Sequence, residues 1–351
     1  MTSLGVPLDV SALPYGWTAR PPGDADVATL ALLREATHRG PDDLPAGGAP
    51  VDATLVEAVV VGPASWTRRQ LVVTDPVGTV VAWAVVHDRA AGRTEVEVMV
   101  LPGADHADQV ATALFRWAEA AGRVVAALRR VPSTQLDSGS RADDERQRRW
   151  LAEAGYRCVR TWLQMSRPVQ PTEAEPGRLP GPRPGVTVRR VRAHANGLPV
   201  AEDLHLVHQV LEESFADHFN SYREGFAEFV VRLQEDPWHR WDHWWIALLD
   251  GDDAAPQVGG ALISSVLPPD AAGRYGSYVD YIGVHRRARG RGVAKSLLHT
   301  VITDAARLDR NRVGLEVDAD SETGADGLYR SLGWQTRYRT ESWHRYVELD
   351  R

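Results

Sequence analysis

The stretch Tyr278–Leu298, YVDYIGVHRRARGRGVAKSLL, constrains the rest of the chain more than any other. Its period changes midway. An apolar run reaches Val284, a turn crowded with Arg and Gly follows, and apolar residues then recur at Val293, Ala294, Leu297, Leu298, Val301, Ile302 and Ala305. The first part reads as a strand and the last as an amphipathic helix. Between them Arg287, Gly290 and Gly292 have the spacing R-x-x-G-x-G. Glycine lets the backbone approach a ligand closely. The free N–H groups and dipole of the following helix favour an anion such as a pyrophosphate. Arg287, Arg289 and Arg291 add positive charge at the same place. The dinucleotide fingerprint G-x-G-x-x-G is not matched, so the turn alone names no ligand.

A second motif, GLYRSLGW at Gly327–Trp334, follows, with Ala325, Leu328 and Tyr329 in the pattern A-x-x-L-Y. Together the two motifs resemble the GNAT superfamily of N-acetyltransferases over residues 186–351. That resemblance implies acetyl-CoA as cosubstrate. Its pyrophosphate would lie on Arg287, Arg289, Gly290, Arg291, Gly292, Val293 and Ala294. Its pantetheine arm would add to the strand at Ile282, Gly283 and Val284, as a β-strand does. Tyr329 would be the general acid that protonates the leaving sulfur. For the general base there are two candidates. Asp280 lies on the central strand, on the same face as Ile282 and Val284 by period-two alternation. Glu316 lies on the neighbouring strand, Arg312–Val317. Burial near a sheet would raise the pKa of either towards a useful value.

The acceptor side of such a cleft would come from two helices, Ala201–Phe215 and Tyr222–Leu233. Asp217, His218 and Tyr222 at their junction are candidate acceptor contacts, or a capped and solvated junction. Trp238, Trp241, Trp244 and Trp245 fall within eight positions. They either wall a pocket or pack a core.

The first half repeats this order. Val27–Ala36 has helical spacing, and Leu71–Thr74, Thr79–Val86 and Thr94–Leu101 read as strands. Asp108–Ala121 reads as a helix, Val124–Leu128 as a strand, Asp143–Ala154 as a helix ended by Gly155, and Tyr156–Ser166 as one or two strands. Aligning Val100 with Val284, and Gly155 with Gly333, gives an internal repeat. Arg287, Arg289, Gly290 and Gly292 then become Gly103, Asp105, His106 and Asp108, and Tyr329 becomes Leu151. Carboxylates stand where a pyrophosphate would lie and the general acid is gone. The expected architecture is α/β (α+β): two tandem GNAT folds, each a mixed, mostly antiparallel twisted sheet flanked by helices. Residues 1–168 form a degenerate unit, 169–185 a Pro/Gly-rich linker, and 186–351 the acetyl-CoA-binding unit.

A net charge of −7 argues against wholesale nucleic-acid binding. The single cysteine, Cys158, permits no intrachain disulfide and suits a reducing cytosol. Beside Val159, Trp162 and Leu163 it reads as a core residue rather than a nucleophile. No apolar run reaches the roughly 20 residues of a membrane span. No metal-ligand spacing occurs among the scattered histidines. The expectation is a cytoplasmic N-acetyltransferase, monomer or homodimer, that moves an acetyl group from acetyl-CoA to the primary amine of a small molecule in a ternary complex, without metal, nucleic acid or membrane. A non-catalytic acyl-CoA sensor, or a protein acetyltransferase, is the alternative.

Overall fold

Among the described residues the same ten helices and strands occur twice, in the same order. The computed structural model describes residues 6, 9–38, 53–89, 93–216, 224–250, 257–321 and 324–349. Its first half runs β1 (Thr18–Arg20), α1 (Val27–His38), α2 (Thr54–Val60), β2 (Arg68–Thr74), β3 (Val80–Arg89), β4 (Arg93–Val100), α3 (Ala107–Arg129), β5 (Ser133–Arg141), α4 (Glu145–Glu153) and β6 (Arg157–Pro168). The second runs β7 (Val186–Arg190), α5 (Ala201–Phe215), α6 (Phe226–Gln234), β8 (Trp244–Leu249), β9 (Gln257–Leu267), β10 (Gly276–Val284), α7 (Val293–Arg307), β11 (Arg312–Asp318), α8 (Ala325–Ser331) and β12 (Gln335–Glu348). Among the described residues the β4–β5 and β10–β11 pairs are parallel and the other strand pairs antiparallel.

The twelve described strands join one sheet, in the order β1-β2-β3-β4-β5-β12-β6-β11-β10-β9-β8-β7. The last strand of each repeat has crossed to the other. β12 pairs with β5, Thr340 opposite Arg141 through Glu348 opposite Ser133. β6 pairs with β11, Arg312 opposite Pro168 through Asp318 opposite Trp162. At the centre β6 and β12 pair with each other. Core membership follows the sheet and not the chain. Trp343 and Val347 of β12 pack in the first repeat's core under α3, and Leu163 and Met165 of β6 pack under α7. Two further cores lie on the opposite faces, under α1–α2 and under α5–α6.

Three sequence expectations change here. Val124–Leu128 is not a strand but the last turns of α3, whose buried stripe continues through Val125 and Ala126. The chain leaves the helix at Arg130, in the left-handed region at φ 57°, and the strand is β5. Cys158 is exposed near the start of β6, outside the core. Segment 169–185 is docked rather than free. Val169 belongs to the α7 core, Arg167 pairs with Glu173, and a ring nitrogen of His299 on α7 lies 2.9 Å from the Pro180 carbonyl oxygen.

Candidate active site

β10 and β11 pair over three residues, the last being Val279 opposite Leu315, and then separate. The other edge of β10 stays paired with β9 as far as Val284. One edge from Asp280 to Val284 is therefore open to a cleft of about 2170 Å³. The cleft takes in the second repeat's opening and reaches the matching gap between β4 and β5. A single drug-sized ligand needs roughly 300–1,000 Å³, so two molecules fit here together.

The β9–β10 register slips between Val279 and Tyr281, leaving Asp280 as an extra residue. Such a bulge re-aims a side chain. Asp280 consequently does not share a face with Ile282 and Val284, a correction to the period-two reading. Those two pack against the α7 core, whereas Tyr281 joins the α5–α6 core. Asp280 accepts a hydrogen bond from Ser265 Oγ at 3.0 Å, and its Oδ2 is buried with no partner in the protein. Burial pushes its carboxyl up to about 8, and nearby Asp236 adds to the rise, against the Ser265 bond. Glu316 also lines the cleft. Its side chain is open to the cleft, and desolvation by the surrounding walls raises its carboxyl pKa, against a 2.9 Å bond from Gln164 Nε2. Gln164 is on β6, so the first half of the chain holds this acid in place.

Tyr329 projects from α8 into the same cleft, its ring edge-on to Trp334 at 6.0 Å. Burial pushes its hydroxyl up to about 12, so it stays protonated and able to donate. Gly283 is closely packed: a Cβ there would lie 2.8 Å from Leu211 Cδ2 on α5, which would have to shift.

At the far end of the open edge is the start of α7. Gly290 and Gly292 both have positive φ, 78° and 84°, and Gly292 is the residue that precedes the helix. The first N–H groups of a helix have no partner within it. Those of α7 face a cleft lined by Gly290, Gly292, Val293 and Ala294. Of the three arginines in the motif, Arg289 lines the cleft; Arg287 and Arg291 do not. Arg291 turns to Gly185, its Nη2 3.3 Å from where a Cβ there would be. Lys295 and Arg183 also line the cleft. Lys295 was visible in the first helical turn, but nothing in a Pro/Gly-rich segment pointed to Arg183. These residues fit an acyl-CoA: cations and helix N–H groups for its phosphates, an open strand edge for its arm.

Asp217, His218 and Tyr222 lie outside the described residues. The described acceptor-side wall is Leu211–Ala216 of α5 and its end, with Glu224, Phe229 and Arg232. Arg232 binds both oxygens of Glu224 and donates to Tyr281 Oη at 3.0 Å. No short motif marked this group; helical spacing was the available signal. The four tryptophans line no part of the cleft. Trp244 and Trp245 are core residues, and Trp241 packs on Trp244 at 5.1 Å.

The first repeat differs at each matching point. Its β3–β4 register runs unbroken from Ala82–Val100 to Arg89–Arg93, without a bulge. Arg146 Nη2 donates to the Val100 carbonyl at 2.9 Å, on the edge that β10 leaves open. His106, not Asp108, holds the left-handed position before the helix, because the loop is two residues shorter than the aligned one. Asp108 sits in the first turn of α3 and takes bonds from Trp150 Nε1, at 2.7 Å, and Arg149. Leu151 fills the Tyr329 position, fully buried. Among the described residues no cluster suits a metal ion and no helix is long and apolar enough to cross a membrane.

Residues 207–334 match the model of the acetyltransferase (GNAT) family. No curated protein matches the chain. Among solved structures, it is similar to a GCN5-related N-acetyltransferase from Sphaerobacter thermophilus, at 23% identity and TM-score 0.72, over 97% of this chain and 98% of that one. It is also similar to a tandem GNAT protein from the clavulanic acid biosynthesis pathway, at 14% identity and TM-score 0.63, over 95% of this chain and 100% of that one. Myristoyl-CoA-bound N-myristoyltransferase from Saccharomyces cerevisiae matches at 10% identity and TM-score 0.59, over 96% of this chain and 80% of that one. These likenesses extend over both repeats, and the family match falls on the repeat with the open edge. The chain carries an acetyltransferase domain of the GNAT family, within a tandem GNAT fold.

Proposed function

We propose that the second repeat transfers an acetyl group from acetyl-CoA to the primary amine of a small molecule, by direct attack with both substrates bound. The coarser statement, an acyltransferase fold that draws on acyl-CoA, rests on the family match. The observation that carries the finer one is Asp280: a carboxylate on a bulge, with one oxygen unpartnered, in a cleft also lined by Tyr329.

Asp280 is the base. Its raised pKa lets it take a proton from an ammonium near neutral pH. The free amine then attacks the thioester carbonyl carbon, the C–N bond forms and the C–S bond breaks. An N–H on the open edge of β10, at or beside Ile282, stabilises the developing oxyanion. Tyr329 gives its proton to the leaving sulfur and regains one from the attacking nitrogen, which leaves a neutral amide and free thiol, while the proton on Asp280 passes to solvent. Glu316, tied to Gln164, keeps the cleft wall acidic and favours a cationic acceptor. The first repeat is structural, its strand edge and helix start filled by Arg146 and Asp108. The two-repeat layout resembles mycothiol synthase, which acetylates the amine of a cysteinyl pseudodisaccharide; this resemblance in layout favours a small-molecule acceptor. The chain is expected to work in the cytoplasm, as a monomer or homodimer.

The test is titration calorimetry with acetyl-CoA, then thiol release with an amine library. One site per chain, lost in Gly290→Glu, supports the reading. Binding without turnover of any amine, unchanged in Tyr329→Phe, would make the chain a sensor. Two sites would show that the first repeat still binds.

A further inference from the structure

The linker brings an arginine to the phosphate turn. Arg183 Nη1 donates to the Gly290 carbonyl at 3.2 Å. Its Cδ lies 2.9 Å from where a Cβ on Gly292 would stand. The side chain thus crosses both glycines of the turn, and it lines the cleft. A guanidinium has five N–H donors, and one is used here. Among the described residues no carboxylate pairs with Arg183, while most cleft-lining arginines of the first repeat are paired, as Arg89, Arg93 and Arg141 are.

The approach is fixed from both sides. Upstream, Pro180 is held to His299 on α7. Downstream, the Arg183 carbonyl accepts from Val186 N at 3.0 Å as the chain enters β7. A free tether of Pro and Gly would not hold an arginine at one spot; this one is tied on each side of it.

Building on the acetyl-CoA reading above, we propose that Arg183 is a cofactor-binding residue: the linker closes over the start of α7 and its guanidinium binds the pyrophosphate of the acyl-CoA. The site is then made by two parts of the chain about 107 residues apart. It adds a second planar, multi-donor guanidinium to that of Arg289, where Arg287 and Arg291 do not line the cleft.

The experiment is calorimetry on the full chain with acetyl-CoA and with acetyl-dephospho-CoA, comparing the parent with Arg183→Ala and Arg183→Lys. A charged hydrogen bond to phosphate predicts roughly a ten-fold or larger rise in Kd for Arg183→Ala, with a smaller rise for Arg183→Lys. The factor should be equal for the two ligands, because both carry the pyrophosphate. A second readout is limited proteolysis of the linker. Acetyl-CoA should protect it in the parent and not in Arg183→Ala. An unchanged Kd in Arg183→Ala, with tight binding by the parent, overturns the proposal and makes Arg183 a linker anchor. A loss confined to acetyl-CoA overturns it in favour of the 3′-phosphate. Failure of the parent to bind either ligand refutes the acetyl-CoA reading and the Arg183 proposal with it; in the other two outcomes that reading stands.

Discussion

Ser265 Oγ donates to one oxygen of Asp280 at 3.0 Å, and the other oxygen, Oδ2, has no partner although it is buried. One oxygen of this carboxylate is oriented by the protein and the other is without a protein partner. Its pKa near 8 makes two measurements informative. A base must be unprotonated, so kcat/KM should rise with pH and level off above about 8. Asp280→Asn should remove that limb and lower turnover by roughly 10²–10⁴-fold. An unchanged pH profile in the variant would move the role to Glu316.

Stability should show the same group with the opposite sign. In the unfolded chain an aspartate releases its proton near pH 4 (about 3.9), while the folded one holds it to about 8. Between these values the folded state binds the extra proton, so stability falls as pH rises and the loss is complete above about 8. Thermal melts from pH 4 to 9 should show a shallower decline in Asp280→Asn than in the parent. Parallel curves would mean that Asp280 ionises normally.

Tyr329→Phe should leave the Kd for acetyl-CoA within about two-fold and lower kcat by roughly 10²-fold or more, the scale of one proton donor. Because burial holds the hydroxyl up to about 12, the parent should show no alkaline loss from this group below about pH 10. A variant with full kcat would reduce Tyr329 to a packing residue under Trp334.

Gly292→Ala should weaken acetyl-CoA binding for two separable reasons. Alanine at φ 84° costs about 1–2 kcal/mol in backbone strain, and its methyl would displace Arg183. Gly290→Ala meets no atom within 4 Å and carries the strain alone. The Gly292 variant should therefore have the higher Kd of the two, and the difference should disappear in an Arg183→Ala background.

Residues 186–351 expressed alone should fail to give a folded protein, since β11 would lose β6 and the α7 core would lose Leu163 and Met165. Co-expressing 1–168 with 186–351 should restore one complex. A soluble, cooperatively melting 186–351 fragment would contradict this.

Much of the second repeat was legible because its signals are local. Period changes mark the strands and helices, and the turn carries its own glycines and arginines. Gly155 ends its helix at positive φ, as expected, and Gly333, aligned with it, does the same. What escaped is non-local. Val125 and Ala126 look the same in a strand or in a buried helix, and the length of α3 decided the matter. The bulge at Asp280 is a property of pairing with β9, invisible to a count along β10 alone. Arg183 acts across the fold from a segment whose composition reads as spacer. The strand exchange couples segments about 180 residues apart, such as Trp162 with Ser342, and no periodicity within either carries that information.

The exchange also bears on how such a chain can change over generations. A duplicated domain whose copies fold separately can shed the idle one by a deletion. Here each copy has lent the other its closing strand, so removing either leaves a gap in the survivor. Changes at first-repeat positions such as Asp108 and Arg146 leave that shared framework in place, because the second repeat still needs β6 to close its sheet. The tandem is a ratchet: easy to enter by fusion, and closed to exit by simple loss.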